Sequence, residues 1–112
     1  MRERSITTSC SPAGLVLTPA QHLMTSCGAV IDAVTGNAIT QTQGVSADEL
    51  WYNPGDNRYY FGATSAAVVD ANTNQVIATL PSAAGHTLAV DPINNRVFAP
   101  VSGVGIKVFA VQ

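Results

Sequence analysis

The feature that most constrains this chain is that it repeats itself. The segments LVLTPAQHLM from Leu15, LWYNPGDNRYYF from Leu50 and LAVDPINNRVFA from Leu88 share one plan. Each has an apolar–x–apolar run, then Thr, Asn or Asp before Pro, then a polar turn and a second apolar run. Pro54 recurs as Pro92, and Pro19 precedes Pro54 by a slightly shorter interval. A second element sits between these landmarks. VIDAVTGNAI from Val30 matches VVDANTNQVI from Val68, with Asp32 recurring as Asp70 and Ile39 as Ile77 at the interval that separates Pro54 from Pro92. Two independent landmarks at one period define a structural repeat, which must be identified before any other fold is considered.

Each unit reads as four short strands. Proline fixes φ at Pro54 and Pro92, and the Asn and Gly residues that follow accept left-handed φ, so these stretches are turns. They join a first strand (Leu50–Asn53, Leu88–Asp91) to a second (Arg58–Ala63, Arg96–Pro100). The tips at Thr35–Asn37 and Thr73–Gln75 join a third strand to a fourth. Val, Ile, Tyr and Phe dominate the strands, and no window carries a helical period. Four antiparallel strands per repeat of about 38 residues match the blade of a β-propeller. The expected fold is therefore all-β, with an outer strand over residues 5–9, blades over 10–46 and 47–85, and an incomplete blade over 86–112. That makes twelve strands, or three blades, within the single region 1–112. A ring needs four to eight blades. Such a chain does not close alone, and its end faces require another copy of itself or the remaining blades of a longer chain.

Composition narrows the function classes. Of 112 residues, 46% are hydrophobic and 11% charged, enough apolar content for one folded domain. Five Lys and Arg are scattered among seven Asp and Glu, so no basic nucleic-acid footprint exists. No apolar run reaches the roughly 18 residues of a membrane helix, and residues 1–9 carry no secretory h-region. The two cysteines, Cys10 and Cys27, are too far apart for a C-x-x-C pair and too few to close a zinc site. A disulfide is the better reading, which implies an oxidising compartment; the alternative is two separate buried thiols.

From Ala47, the stretch ADELWYNPGDNRYYFG resembles the exported bacterial β-propellers of the YVTN, or surface-antigen-like, family. Family repeats of the forms V-x-D-P-x-x-N-R-V-F-V and V-I-D-x-x-T-x-x-V-I-A-T-I-P correspond here to AVDPINNRVFA from Ala89 and VVDANTNQVIATLP from Val68. The nearest subgroup has a D-E-x-W-Y-N-P-G-D-N-x-Y-Y blade followed by a last blade with His before V-x-x-D-P, the place of His86. The resemblance spans about Cys10 to Val111. It implies a C-terminal part of a longer, usually seven-bladed protein, located in the periplasm or outside the cell. Two loops depart from the subgroup: Gly62–Ala66 is short, and Ser102–Gly105 lacks cysteines.

No nucleophile elbow, P-loop, zinc-protease or EF-hand motif is present, and no metal or cofactor is expected. Asp48, Glu49 and His86 fall where first strands begin, the mouth of a propeller channel, and are the candidate ligand-binding residues. Asp48 and Glu49 are adjacent on a strand, so they point to opposite faces and do not share a proton. Trp51 and Tyr52 are a pair able to stack on a ligand, but an aromatic pair in a first strand is expected to fill the wedge between blades. Arg58 and Arg96 recur after the turns and suggest pairs with Asp56 or Asp91 between blades, while Asp32 and Asp70 recur as turn formers. The reading is a non-enzymatic scaffold that binds a protein or small molecule. The alternative is a fragment of a propeller enzyme, lactonase-like or haem-reductase-like, with polar groups converging on the channel.

Overall fold

The computed structural model describes residues 2–62, 66–81 and 87–110. Its organisation follows from the proline turns. Thr18-Pro19, Asn53-Pro54 and Asp91-Pro92 each open a tight reversal that ends on a residue with left-handed backbone: Gln21 (φ 64°), Asn57 (φ 56°) and Asn95 (φ 53°). Side chains close all three turns, the first by Thr18 Oγ1 accepting from the His22 N–H at 3.3 Å and the other two by Asx bonds. Asn53 Oδ1 accepts from the Gly55 N–H at 2.8 Å, and Asp91 Oδ1 accepts from the Ile93 N–H at 2.9 Å. Such Asx bonds give the backbone a turn in place of a ladder.

These turns separate β1 (Leu15–Leu17) from β2 (His22–Thr25), β5 (Glu49–Asn53) from β6 (Arg58–Gly62), and β9 (Ala89–Asp91) from β10 (Arg96–Val101). The remaining strands are β3 (Ala29–Asp32), β4 (Ala38–Gln41), β7 (Ala66–Asp70), β8 (Gln75–Leu80) and β11 (Gly105–Phe109). All ladders are antiparallel. They form three sheets, β1-β2-β3-β4, β5-β6-β7-β8 and β9-β10-β11, and no helix occurs among the described residues. The sheets do not join into a closed structure.

The repeat extends to the irregularities. β3 and β4 lose register between Val30 and Ile31, and β7 and β8 lose it at the equivalent place one repeat later, between Val68 and Val69. Asp32 and Asp70 each turn the chain beyond their bulge. Backbone N–H groups of Thr35 and Val34 donate to Asp32 and hold its carboxyl below the usual range. The Ala33 N–H donates to Gln21 O at 2.9 Å, and the Ala71 N–H donates to Asn57 O at 3.1 Å, so the same bond ties the two turn systems in both units.

Strand alternation determines how the sheets stack. In the second sheet Leu50, Tyr59, Phe61, Ala67 and Val69 point to one side and pack with Met24 and Val30 of the first sheet. Tyr60, Ala66, Val68 and Leu80 point to the other side and pack with Leu88, Val97 and Ala99. Trp51 joins the core toward the third sheet and Tyr52 the core toward the first. The second sheet is thus covered on both faces. Tyr59, Tyr60 and Phe61 are essentially solvent-free, and aromatic side chains of this size remove about 150–250 Å² each from water.

Two features differ from the sequence reading. No strand forms over residues 5–9. An outer strand in this repeat pairs with the third strand of its own unit, and the described residues offer this segment no such partner. Side chains fasten it instead. Arg4 Nη2 donates to Thr35 O at 2.7 Å, Ser9 Oγ donates to Gln41 Oε1 at 2.6 Å, and a disulfide joins Cys10 to Cys27 across a Cα separation of 6.1 Å. Arg58 Nη1 lies 4.0 Å from Asp56 Oδ2, a pair within one turn and not between sheets. His86 and the boundary expected at 85/86 lie outside the described residues.

Gly55 marks the tightest seam. A Cβ there would collide with the Pro92 carbonyl oxygen and Asn95 Oδ1, because the β5–β6 turn rests directly on the β9–β10 turn. Gly55→Val should therefore destabilise the protein by about 1–3 kcal/mol, read as a lower urea midpoint; an unchanged midpoint would mean that the turns do not touch. Replacing Cys10 and Cys27 by Ser should cost roughly 3 kcal/mol, as expected for a cross-link spanning 17 residues. In the same variant trypsin should cleave faster after Arg2 and Arg4.

Candidate functional site

The first strands β1 and β5 lie side by side, and each end of this pair offers a concavity. At the start of the strands the seam is close: a Cβ on Gly14 would sit 2.9 Å from the Asp48 carbonyl oxygen. Asp48 and Glu49 are both exposed there. Glu49 lines a pocket of about 200 Å³ with Gly14, Leu15, Leu50 and Trp51, which does not include Asp48. The structure thus holds Asp48 and Glu49 at one strand end, with Glu49 and Trp51 sharing a wall.

The opposite end of the same strands holds a larger cleft, about 340 Å³, bounded by Thr18, Pro19 and Ala20 on one side and Tyr52, Asn57, Ala71 and Asn72 on the other. His22, the first residue of β2, completes its lining. Its polar groups are organised as a chain. Tyr52 Oη donates to Asn57 Oδ1 at 2.6 Å, and Asn57 Nδ2 donates to Asn72 Oδ1 at 3.1 Å. Two turns build this arrangement. The left-handed backbone at Asn57 closes the β5–β6 turn, and the Asp70 carboxylate accepts from the Asn72 N–H at 2.8 Å and fixes the β7–β8 turn. Pro19 and Ala20 form an apolar rim, so the cleft pairs a hydrogen-bonding wall with a hydrophobic one, the usual make-up of a small-ligand site.

The sequence reading did not single out this cleft. Its signal was a departure from the repeat. Tyr52 occupies the place of Leu17 and Val90, and His22 that of Arg58 and Arg96. Aligning the units for what they share passes over the positions where one differs.

Behind the cleft, Tyr52 and Tyr59 have ring centroids 5.6 Å apart at an interplanar angle of 53°. Burial, with Asp56 adding to it, pushes the Tyr52 phenol up. Burial, and secondarily Tyr52, pushes Tyr59 up to about 12. Burial and the hydrogen bond donated to Asp56 raise Tyr60 as well. Among the described residues no group of three or more His, Cys, Asp or Glu side chains is placed to hold a metal ion. No helix of the described residues is long and apolar enough to cross a membrane.

No protein-family model matches the chain, and no curated protein sequence is similar to it.

The tyrosine shifts have a definite pH signature. A phenol whose folded-state pKa is raised contributes stability that is complete below its unfolded value near 10 and is lost as pH rises through about 12. Urea midpoints should therefore fall with pH above 10. Tyrosinate absorbance should lag in the folded protein relative to the denatured chain, and coincident titrations would contradict the burial.

Proposed function

We propose that the three sheets are β-propeller blades of the YVTN type and that the protein is a non-enzymatic binding scaffold. The blade reading draws on the sequence period, on the turn, bulge and cross-turn hydrogen bond that recur with it, and on the side-by-side first strands. The protein belongs to an oxidising compartment outside the cytoplasm, a placement supported by the Cys10–Cys27 bond.

The observation that carries the binding role is the cleft between the β1–β2 turn and the turns of the second sheet. Its hydrogen-bonding groups are Tyr52, Asn57, Asn72 and His22, opposite Pro19 and Ala20. This set presents amide, hydroxyl and imidazole groups and no carboxylate, and it suits a small, uncharged, hydrogen-bonding ligand of the saccharide class. The turns that form it are stiffened by their own hydrogen bonds, which limits the ordering cost of binding. Asp48 and Glu49 belong to the other end of the first strands in this scheme, as a polar rim.

The test is a nuclear magnetic resonance titration with plain and N-acetylated hexoses and their short oligomers. Backbone amides of Ala20, Ala71 and Asn72 should shift together on binding. Asn72→Ala should weaken that binding at least several-fold while leaving the rest of the spectrum in place. Shifts absent from the cleft with every sugar, or unaffected by Asn72→Ala, would remove this assignment.

A further inference from the structure

Tyr59 carries a polar atom that its surroundings do not use. The side chain is 0% exposed, and its hydroxyl has no hydrogen-bond partner among the described residues. Buried hydroxyls are nearly always bonded, because leaving one unbonded is costly. The packing of the sheets does not call for this one. Tyr52 and Tyr59 are cross-strand partners in β5 and β6. The equivalent partners are Leu17 and Leu23 one unit earlier, and Val90 and Val97 one unit later. An aliphatic pair therefore serves this place in the first and third sheets, and the second sheet has two phenols there.

The register of the pair shows where the second hydroxyl is directed. Cross-strand partners share one face of a sheet, and this face is turned toward the first sheet. Tyr52 delivers its hydroxyl to Asn57 in the cleft. Tyr59 stands one strand further in, its ring centroid 5.6 Å from that of Tyr52. Burial raises the Tyr59 phenol and Tyr52 adds to the rise, whereas the Thr18 hydroxyl draws it down. Thr18, a lining residue of the cleft, is thus the neighbour of the buried hydroxyl. Its Oγ1 accepts from the His22 N–H at 3.3 Å and has a proton of its own to donate. Two hydroxyls that stand close without bonding one another are placed to share a third oxygen. Only a small group fits between them, since Thr18 is 4% exposed.

We propose that Tyr59 Oη and Thr18 Oγ1 form the inner end of the cleft and recognise the exocyclic hydroxymethyl group of a hexose. This assignment rests on the saccharide reading of the cleft. The hydroxymethyl oxygen is carried beyond the sugar ring on a further carbon, the reach that a pair behind Tyr52 demands. Its two lone pairs accept one hydrogen bond from each hydroxyl. The ring stays outside, against Asn57 and Asn72.

The experiment compares each hexose with the pentose that lacks only this group, glucose with xylose and galactose with L-arabinose. Affinities are read from the amide shifts of Ala20, Ala71 and Asn72. The wild type should bind the hexose of at least one pair about ten-fold tighter, because a site built to bond a hydroxyl discriminates against its absence. Tyr59→Phe should bring that hexose down to the affinity of its pentose and leave the pentose unchanged. Without ligand the same variant should keep or raise the urea midpoint, since the hydroxyl it removes was unbonded. Thr18→Val removes the other hydroxyl and should abolish the same preference. A preference that survives Tyr59→Phe or Thr18→Val would overturn the proposal. So would a wild type that binds hexose and pentose equally; if both sugars still depend on Asn72, the cleft remains a saccharide site and only its inner end is misassigned. If no sugar shifts the cleft amides, both readings fall.

Discussion

The structure depends on the burial of the second sheet from both sides. A four-stranded sheet with one covered face alternates apolar and polar residues; one with two covered faces has no polar side to spare. β6 and β7 meet that demand with consecutive buried residues, Tyr59 to Gly62 and Ala66 to Val69. The first sheet covers Tyr59 and Phe61, and the third covers Tyr60. Neither flanking sheet is covered so fully, and the exposed residues of β1 and β11 follow from that. Removing either flank would expose half of the aromatic core, and the seam at Gly55 is where the turn of the third sheet rests on that of the second.

Much of this arrangement was legible in the sequence because it is local. A proline turn, an Asx bond and an alternating strand are each specified within a short stretch of chain, so the second- and third-sheet hairpins fall close to where the repeat puts them. Their ends differ slightly, as at Glu49 and Ala89. The segment over residues 5–9 could not be read this way. Its strand-like composition says nothing of whether a partner strand is at hand, and Arg4 and Ser9 find their carbonyl and side-chain partners at Thr35 and Gln41, most of a repeat further on. The Arg58–Asp56 pair was placed between sheets for a related reason: recurrence of Arg58 and Arg96 shows that the position matters without showing which neighbour it meets.

The site was less legible than the fold. Asp48 and Glu49 stand out in a sequence with few charges, and the structure does hold them at the end of a first strand. The turn-end cleft is made from Asn57 and Asn72, which look like ordinary turn residues until two turns from different parts of the second sheet are brought together. Its depth depends on the spacing between the first and second sheets, a tertiary quantity. What the sequence did contain was the substitution of Tyr52 and His22 at repeat positions held elsewhere by aliphatic and Arg residues.

The order of strands in the three sheets has a kinetic consequence. Every ladder joins strands that are neighbours in sequence, and even the disulfide closes only 17 residues. An all-β chain ordinarily folds slowly because distant strands must find one another, and loop closure is unfavourable until they do. Here each sheet can assemble by successive hairpins from its own stretch of chain, with docking between sheets as the one long-range event. The rate-determining encounter is then the meeting of preformed hairpins at Tyr59, Tyr60 and Phe61. Nucleation can begin in any of the three units, and a mutation in one turn slows its own hairpin without obstructing the others.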